Sequence, residues 1–499
     1  MPASSARFLL KGVRISGNTA YAEAELQPLV QGIVGKEVGL AELEEAAARI
    51  SRYFRERGYM VARAYLPAQD IRDGIVEIAV IEGRFGRIDV KNSSRVGDAA
   101  VQRHVQNIPG ILVFEPALER ELLLLNDLSG VGEARASLRP GAKVGESDMD
   151  VELSPAPMAT GSLEYDNHGN RFVGAQRLSG QFNLASPLGL GDLLSARATK
   201  GFSGLEHGRI SYQAPIGGDG LKAGWAYSAT RYELGKTFAP LLAHGNSSSH
   251  TLHLSYPFLR TPNFNLYGRL AFDMSDLQDR VDSTATVTDK NTRSTMLSLS
   301  GDVRDNFGGG AINQFSLAYS SGRLEIETPA TLAIDAASAR THGGYSKWTF
   351  NAQRLQALGE RTVLFMSLLG QKAGKNLDSS EKFSLGGATG VRAYPPGEAA
   401  GDSGYLASVE LRYSLAPDGF GAILQPFAFM DAGGVTLNER PFAAGANSRQ
   451  LSAAGIGLSW SKAADFQIKL TLAARLGSQL AVSDTDKRVR AWLQASKSF

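Results

Sequence analysis

From about Thr160 to the C-terminus the chain alternates apolar and polar residues in segment after segment, and helical periodicity is absent. Leu252, Leu254, Tyr256 and Phe258 alternate with His253, Ser255 and Pro257, and Phe264, Leu266, Leu270, Phe272 and Met274 form another apolar face. Leu297, Leu299 and Val303 oppose Ser298, Ser300, Asp302 and Arg304. Phe315, Leu317 and Tyr319 oppose Gln314, Ser316 and Ser320; Phe466, Ile468, Leu470 and Leu472 oppose Gln467, Lys469, Thr471 and Arg475. Successive side chains of a strand point to opposite faces, so each segment reads as a strand with one apolar side. A soluble sandwich or propeller alternates too, but three features point to a membrane barrel. Roughly sixteen segments occur, an even number within the range of bacterial outer-membrane barrels. Many are about ten residues or more, near what a tilted strand needs to cross a bilayer. The connections alternate in length: Gly217-Gly218-Asp219-Gly220 is a tight turn, whereas residues 235–247, 277–292, 324–342 and 438–450 are long and polar. A barrel also closes every strand edge, as lipid requires. The expectation is a transmembrane antiparallel β-barrel of about 16 strands over residues 158–499.

Composition narrows the chemistry. With no cysteine in 499 residues, disulfides, thiolate nucleophiles and cysteine-ligated metals are excluded. Such a composition fits a bacterial cell-envelope protein. A net charge of +2 gives no bias toward nucleic acid. No run of about eighteen apolar residues is present to make a membrane helix. No signal peptide is visible at Met1; for an exported protein the expectation is that the numbering begins after a cleaved leader or that the chain was trimmed.

The first third is different. Residues 8–83 read strand, helix, helix, strand, strand. Phe8 to Leu10 and Val13 to Ile15 open a strand that turns at Gly17-Asn18. Leu40, Leu43, Ala47, Ile50 and Phe54 put one buried face on a helix from about Leu40 to Arg57, with Gly58 as its cap. Strands follow at Met60–Leu66 and Gly74–Ile81. The order then recurs over 84–154: a strand Phe85–Val90, helices Ala99–Gln106 and Pro116–Leu128, a break at Gly130-Val131-Gly132, and strands Glu133–Arg139 and Asp148–Leu153. The reading is one α/β unit used twice, each of roughly 75 residues.

Three stretches then carry a resemblance. They are Leu122-Leu123-Leu124-Leu125-Asn126-Asp127-Leu128-Ser129-Gly130-Val131 with Leu138-Arg139-Pro140-Gly141; Phe383-Ser384-Leu385-Gly386-Gly387 with Gly390-Val391-Arg392-Ala393-Tyr394; and Phe429-Met430-Asp431-Ala432-Gly433. Together with the order of parts, they resemble the two-partner secretion transporters, the TpsB branch of the Omp85 superfamily that includes the haemolysin and filamentous-haemagglutinin secretion proteins. The resemblance implies two periplasmic POTRA domains (8–83 and 84–154) ahead of the barrel. It also implies a Val-Arg-Gly-Tyr-type loop folded inward, with Ala393 standing where the family has Gly, and Arg392 paired with Asp431 of the Phe-x-Asp-x-Gly wall motif (Phe429, Asp431, Gly433). Alternation puts Phe427 and Phe429 on the same face as Asp431, so with Asp431 in the lumen, as the resemblance implies, these rings would be lumenal too and pack under the loop. Arginine suits the pair because its guanidinium grips a carboxylate bidentately.

The implied function is export of a large secreted partner, a TpsA-like adhesin, haemolysin or contact-dependent toxin, through a Gram-negative outer membrane by type V secretion. POTRA domains would take up the client by strand addition at a sheet edge, with Met60–Leu66 and Glu133–Arg139 as candidates. The outer membrane lacks ATP, so export draws on client folding outside. The other implied partners are outer-membrane lipid and the barrel-assembly machinery, which reads the terminal Phe499 on the last strand, Val489 to Phe499. No cofactor, metal or nucleic acid is implied. Family members carry an N-terminal plug helix, whereas Phe8 here already begins the first module, so the plug is expected to be removed with the leader or lacking.

Rival readings are weaker. An insertase of the same superfamily would share the modules and the arginine loop, but commonly has more POTRA domains; two modules and the Leu-Leu-Asn-Asp stretch favour secretion. A passive porin would lack the modules. Gly401-Asp402-Ser403-Gly404 resembles a protease nucleophile motif, but none of the seven histidines has a distinctive motif around it. A metal site at His244, His250 and His253 is disfavoured because His250 and His253 face opposite sides of a strand.

Overall fold

The structure, a computed structural model, describes residues 7–499 and falls into two compact units, one ending at Ala156 and the other beginning at Pro157.

The N-terminal unit contains two sheets of the same plan. In the first, Gly12–Ser16 pairs parallel with Ile75–Ile81, which pairs antiparallel with Arg63–Tyr65. In the second, Arg84–Asn92 pairs parallel with Glu146–Pro155, which pairs antiparallel with Val131–Pro140. In each sheet the last strand of the module is central and the other two are edges. Helix Leu40–Glu56 packs Leu43, Ala47, Ile50 and Phe54 into the first core. Leu40, expected on that face, is instead 60 % exposed, because it is the first helical residue and precedes the turn that reaches the core. Gly58 ends the helix at φ +92°, a conformation that favours glycine. The expected strand Met60–Leu66 is trimmed to Arg63–Tyr65, and the expected opening strand splits into Phe8–Leu9, which pairs with Glu37–Val38, and Gly12–Ser16. The first expected helix, after Gly12–Ser16, is one turn, Glu23–Leu26, followed by two 3₁₀ turns. The second core gathers Phe85, Val101, Val105, Leu125, Met149 and Val151, fed by helices Asp98–Val105 and Glu115–Asn126.

The C-terminal unit is a closed antiparallel barrel of 16 strands. Its first strand, Ala159–Asp166, pairs with its last, Val489–Ser498, through Ser162↔Ser498 to Asp166↔Gln494. This seam is short beside the 18 paired positions between Phe264–Val281 and Thr286–Asp305. Apolar side chains point out. Leu252 (50 %), Leu270 (47 %), Leu297 (61 %), Leu317 (46 %) and Leu472 (51 %) are exposed, whereas a soluble sheet would bury that face. Pro257 is accommodated at a bulge against Gly268-Tyr267-Leu266.

The rims differ from the sequence reading in two places. Residues 277–292 are mostly strand: Phe264–Val281 and Thr286–Asp305 run past the expected loop and leave a one-turn tip, Asp282–Thr284. Polar side chains there satisfied the alternation without supplying apolar residues, so the periodicity was hidden. The 324–342 connection holds a helix, Pro329–Ala337, started by Pro at its first position and closed by Asp335, whose carboxylate accepts from the Thr341 and His342 N–H groups at 2.8 and 3.0 Å. Helical structure is therefore not absent after Thr160.

Candidate functional site: an arginine loop seated in the barrel

The connection between strands Thr362–Ala373 and Ser403–Tyr413 is 29 residues, 374–402. It returns on itself through a two-residue ladder, Phe383–Ser384 with Ala400–Gly401. Above that ladder the Val391 N–H donates to the Leu385 carbonyl (2.7 Å), the Gly387 N–H to Tyr394 (3.0 Å) and the Tyr394 N–H to Val391 (3.0 Å). Glycine is required at Gly390, where a Cβ would stand 2.0 Å from the Leu385 oxygen. Ala393 has no positive φ, so its methyl group costs no backbone strain. Leu385, Val391, Ala393 and Tyr394 are buried and cluster with Leu406, Phe427, Phe429 and Leu451 of the wall.

Arg392 sits at the centre. Its Nε and Nη2 donate to Asp431 Oδ2 and Oδ1 at 2.9 and 2.8 Å, a bidentate grip, and its backbone N–H reaches the same carboxylate at 3.1 Å. Nη1 donates to Glu410 Oε2 at 2.7 Å, and Nη2 also to Ser408 Oγ at 3.1 Å. Glu410 is shared with Arg412 at 2.7 Å, and Ser408 donates to Asp431 at 2.8 Å. The guanidinium carbon lies 3.3 Å from the centre of the Phe429 ring, a cation–π contact that strengthens when desolvated. Arg392 is 7 % exposed, Asp431 2 % and Glu410 3 %. Burying such charges is tolerable only because the donors and acceptors are matched.

The wall is shaped for these rings. Phe427 faces Gly457 and Phe429 faces Gly455 across the Ile423–Thr436/Ser448–Lys462 pair. A Cβ on Gly457 would come 2.1 Å from the Phe427 ring, and one on Gly455 2.5 Å from that of Phe429, so glycine on one strand makes the bed for the aromatic on the next. Gly433 leaves similar room for Leu385, 2.6 Å from where its Cβ would be.

Three further residues hold the loop and were not singled out in the sequence. Trp492 Nε1, on the last strand, donates to the Arg392 carbonyl at 2.7 Å. Glu398, fully buried, accepts from the N–H groups of Val482 (3.0 Å) and Ser483 (2.8 Å) and pairs with Arg449. Glu410 shares a strand face with Ser408 and Arg412, a polar run that alternation alone would have brought to the lumen. Trp492 and Glu398 carry no local signal, since their partners lie 100 and 84 residues away.

The Gly401-Asp402-Ser403-Gly404 fragment is the loop's exit. Asp402 accepts from the Leu377 and Glu439 N–H groups (3.1 and 2.9 Å) and pairs with Lys382 (2.9 Å). Ser403 donates to Glu439. His253 meets Gln213 at 3.3 Å and His244 meets Asp282 at 3.3 Å, while His250 stacks on Tyr227, so the three do not converge. Phe499 exchanges backbone bonds with Gly161, N–H to carbonyl in both directions (3.0 and 2.9 Å), and a Cβ on Gly161 would meet its ring at 2.5 Å.

Comparison with known proteins adds the relationship. Residues 145–460 match the family described as haemolysin secretion/activation protein ShlB/FhaC/HecB, and residues 8–83 match a ShlB-type POTRA domain. A heme/hemopexin transporter protein, HuxB of Haemophilus influenzae, is 29 % identical over 99 % of this chain and 87 % of its own. The outer membrane transporter CdiB of Dickeya dadantii is 26 % identical over 81 % of this chain and 72 % of its own. Among solved structures, CdiB from Escherichia coli superposes with a TM-score of 0.81 at 20 % identity, over 100 % of this chain and 92 % of that one.

Proposed function

The chain belongs to the haemolysin secretion/activation family of ShlB, FhaC and HecB type, and from that premise we propose how its parts divide the work of export. It is an outer-membrane β-barrel transporter of two-partner secretion with an N-terminal POTRA region, not an enzyme, which sets aside the insertase alternative. In the proposed reading the two modules stand in the periplasm and take up one large partner protein, and the barrel passes it to the cell surface. The relatives are named for heme/hemopexin transport and as CdiB; a TpsA-like partner of that breadth, an adhesin, haemolysin or contact-dependent toxin, is the client assigned here.

The observation that carries the reading is Arg392 held by Asp431 and Glu410 inside a closed barrel. A loop seated this way narrows the lumen, and its seat is a set of directional bonds that can be broken and remade without unfolding the wall. The lumenal loop residues Gly390 to Tyr394 and the wall residues Phe429, Asp431 and Gly433 are thus assigned to gating, and Phe499 to recognition by the barrel-assembly machinery.

The test is deletion of residues 8–153 in a strain carrying the cognate partner. The barrel should still insert, shown by heat-modifiable migration, and the partner should stay in the periplasm. Export at the undeleted rate would overturn the assignment.

A further inference from the structure

Register places the inward side chains of the barrel wall in rows that run around it. One row reads Gln181, Arg197, Arg209, Ser228, Ser249 and Ser275 on six successive strands. Arg197 and Arg209 are thus directly opposite one another, and both are exposed. Like charges at facing positions of a sheet are destabilising, and no carboxylate stands at any position of the row. A second row carries Ser255, Arg269 and Ser298. Inward carboxylates of other rows are engaged: Asp273, which interacts with Arg269, accepts from the Thr251 hydroxyl at 2.6 Å, Asp279 accepts from Tyr232 at 2.5 Å, and Glu164 from Gln494 at 2.9 Å. The remaining positions are mostly hydroxyls, which offer short hydrogen bonds and little apolar surface for an unfolded chain to adhere to.

Resting on the reading that the lumen is the export path, we propose that this wall is a positively charged, hydroxyl-lined track whose ligand is an extended polypeptide bearing acidic side chains. The two facing arginines create the field, and low-dielectric walls focus it along the conduit. Many weak contacts of this kind let a chain enter without being trapped, as conduction requires of any pore.

The chain has no cysteine, so one introduced thiol reports alone. In the purified full chain, Ser228→Cys, which faces Arg209, is reacted with anionic sulfonatoethyl methanethiosulfonate and with cationic trimethylammonioethyl methanethiosulfonate. The ratio of the two rates, referred to a free thiol, should favour the anion several-fold. It should fall toward the free-thiol value in Arg197→Gln/Arg209→Gln and persist in Arg197→Lys/Arg209→Lys, which keeps the charge. Deca-glutamate should protect the thiol and deca-lysine should not. No reaction with either reagent, a free-thiol ratio, an unchanged ratio in the glutamine variant, or equal protection by both peptides would each overturn the proposal. Failure of the secretion reading shows instead in the export assay and leaves the rate ratio untouched.

Discussion

Arg392 is one residue on which a whole loop is hung. Removing it leaves buried Asp431 with the Ser408 hydroxyl as its remaining side-chain donor and Glu410 with Arg412 alone, and breaking one side of a buried pair costs about 3–5 kcal/mol. Arg392→Ala should therefore shift the loop from its seat by roughly a hundredfold or more in population, read as altered single-channel conductance and reduced export. Unchanged conductance together with unchanged export would refute the seating role. In a double-mutant cycle, Arg392→Ala with Asp431→Ala should lose clearly less than the sum of the two single losses, by about 0.5–3 kcal/mol of coupling; strict additivity would separate the two residues. Trp492→Phe keeps the ring but removes the donor to the Arg392 carbonyl, and is expected to loosen the loop by about 1 kcal/mol, visible as more frequent channel opening. Gly457→Val tests the wall alone: its branched side chain would strike the Phe427 ring and should mimic the loss of Arg392 without touching a charge.

At the scale of elements, the two modules guard their edges alike. In the first, the Ala64 N–H is taken by Ser51 Oγ of the adjacent helix at 2.8 Å. In the second, the Ala134 N–H is taken by Asn126 Oδ1 at 2.7 Å. Backbone groups of a strand point alternately to its two sides, so these are the groups turned away from the inner ladder, where an added strand would pair. The first edge strand, Arg63–Tyr65, is three residues long and its middle is occupied. The second, Val131–Pro140, is ten residues long and continues past its guard, with Ala136 and Leu138 facing the same way as Ala134. Strand addition is therefore expected at the second module. Ala136→Pro, which removes one outward donor and spares the inner ladder, should lower export, whereas Ala64→Pro should affect folding of the first module and client capture little. Crosslinking of the partner to a single cysteine at Leu138 in the otherwise cysteine-free chain would check it; capture by the first edge instead would reverse the assignment.

For the whole molecule, the two units follow opposite solvent rules. The modules bury apolar residues inward, and the barrel turns them out while keeping Asp, Glu and Arg inside. Extracting the barrel from detergent into water should therefore precipitate it, while residues 7–156 alone should remain soluble and show cooperative unfolding by circular dichroism. Much of this was legible along the chain, because burial on one face of a strand or helix writes a period into the sequence. The outward faces around Leu252, Leu297 and Leu470 announced themselves this way. The long polar hairpin at 277–292 did not, because strands that rise beyond the membrane lose their apolar face and with it their signal. Leu40 misled for a related reason: it fits the helical period but lies at the helix start, before the turn that packs.

The sequence by itself determined the strand count, the apolar belt, the repeat of the α/β modules and the presence of a glycine-rich arginine loop, since each depends on residues close together in the chain. Only the tertiary structure decided what that loop meets. Asp431 lies 39 residues from Arg392, Glu410 18 and Trp492 100. Alternation assigns each to a face, but which faces converge depends on the curvature and register of a closed barrel. The same closure decided that Arg197 and Arg209 face each other, because register across strands is set by hydrogen bonding between distant segments and leaves no trace in either strand alone.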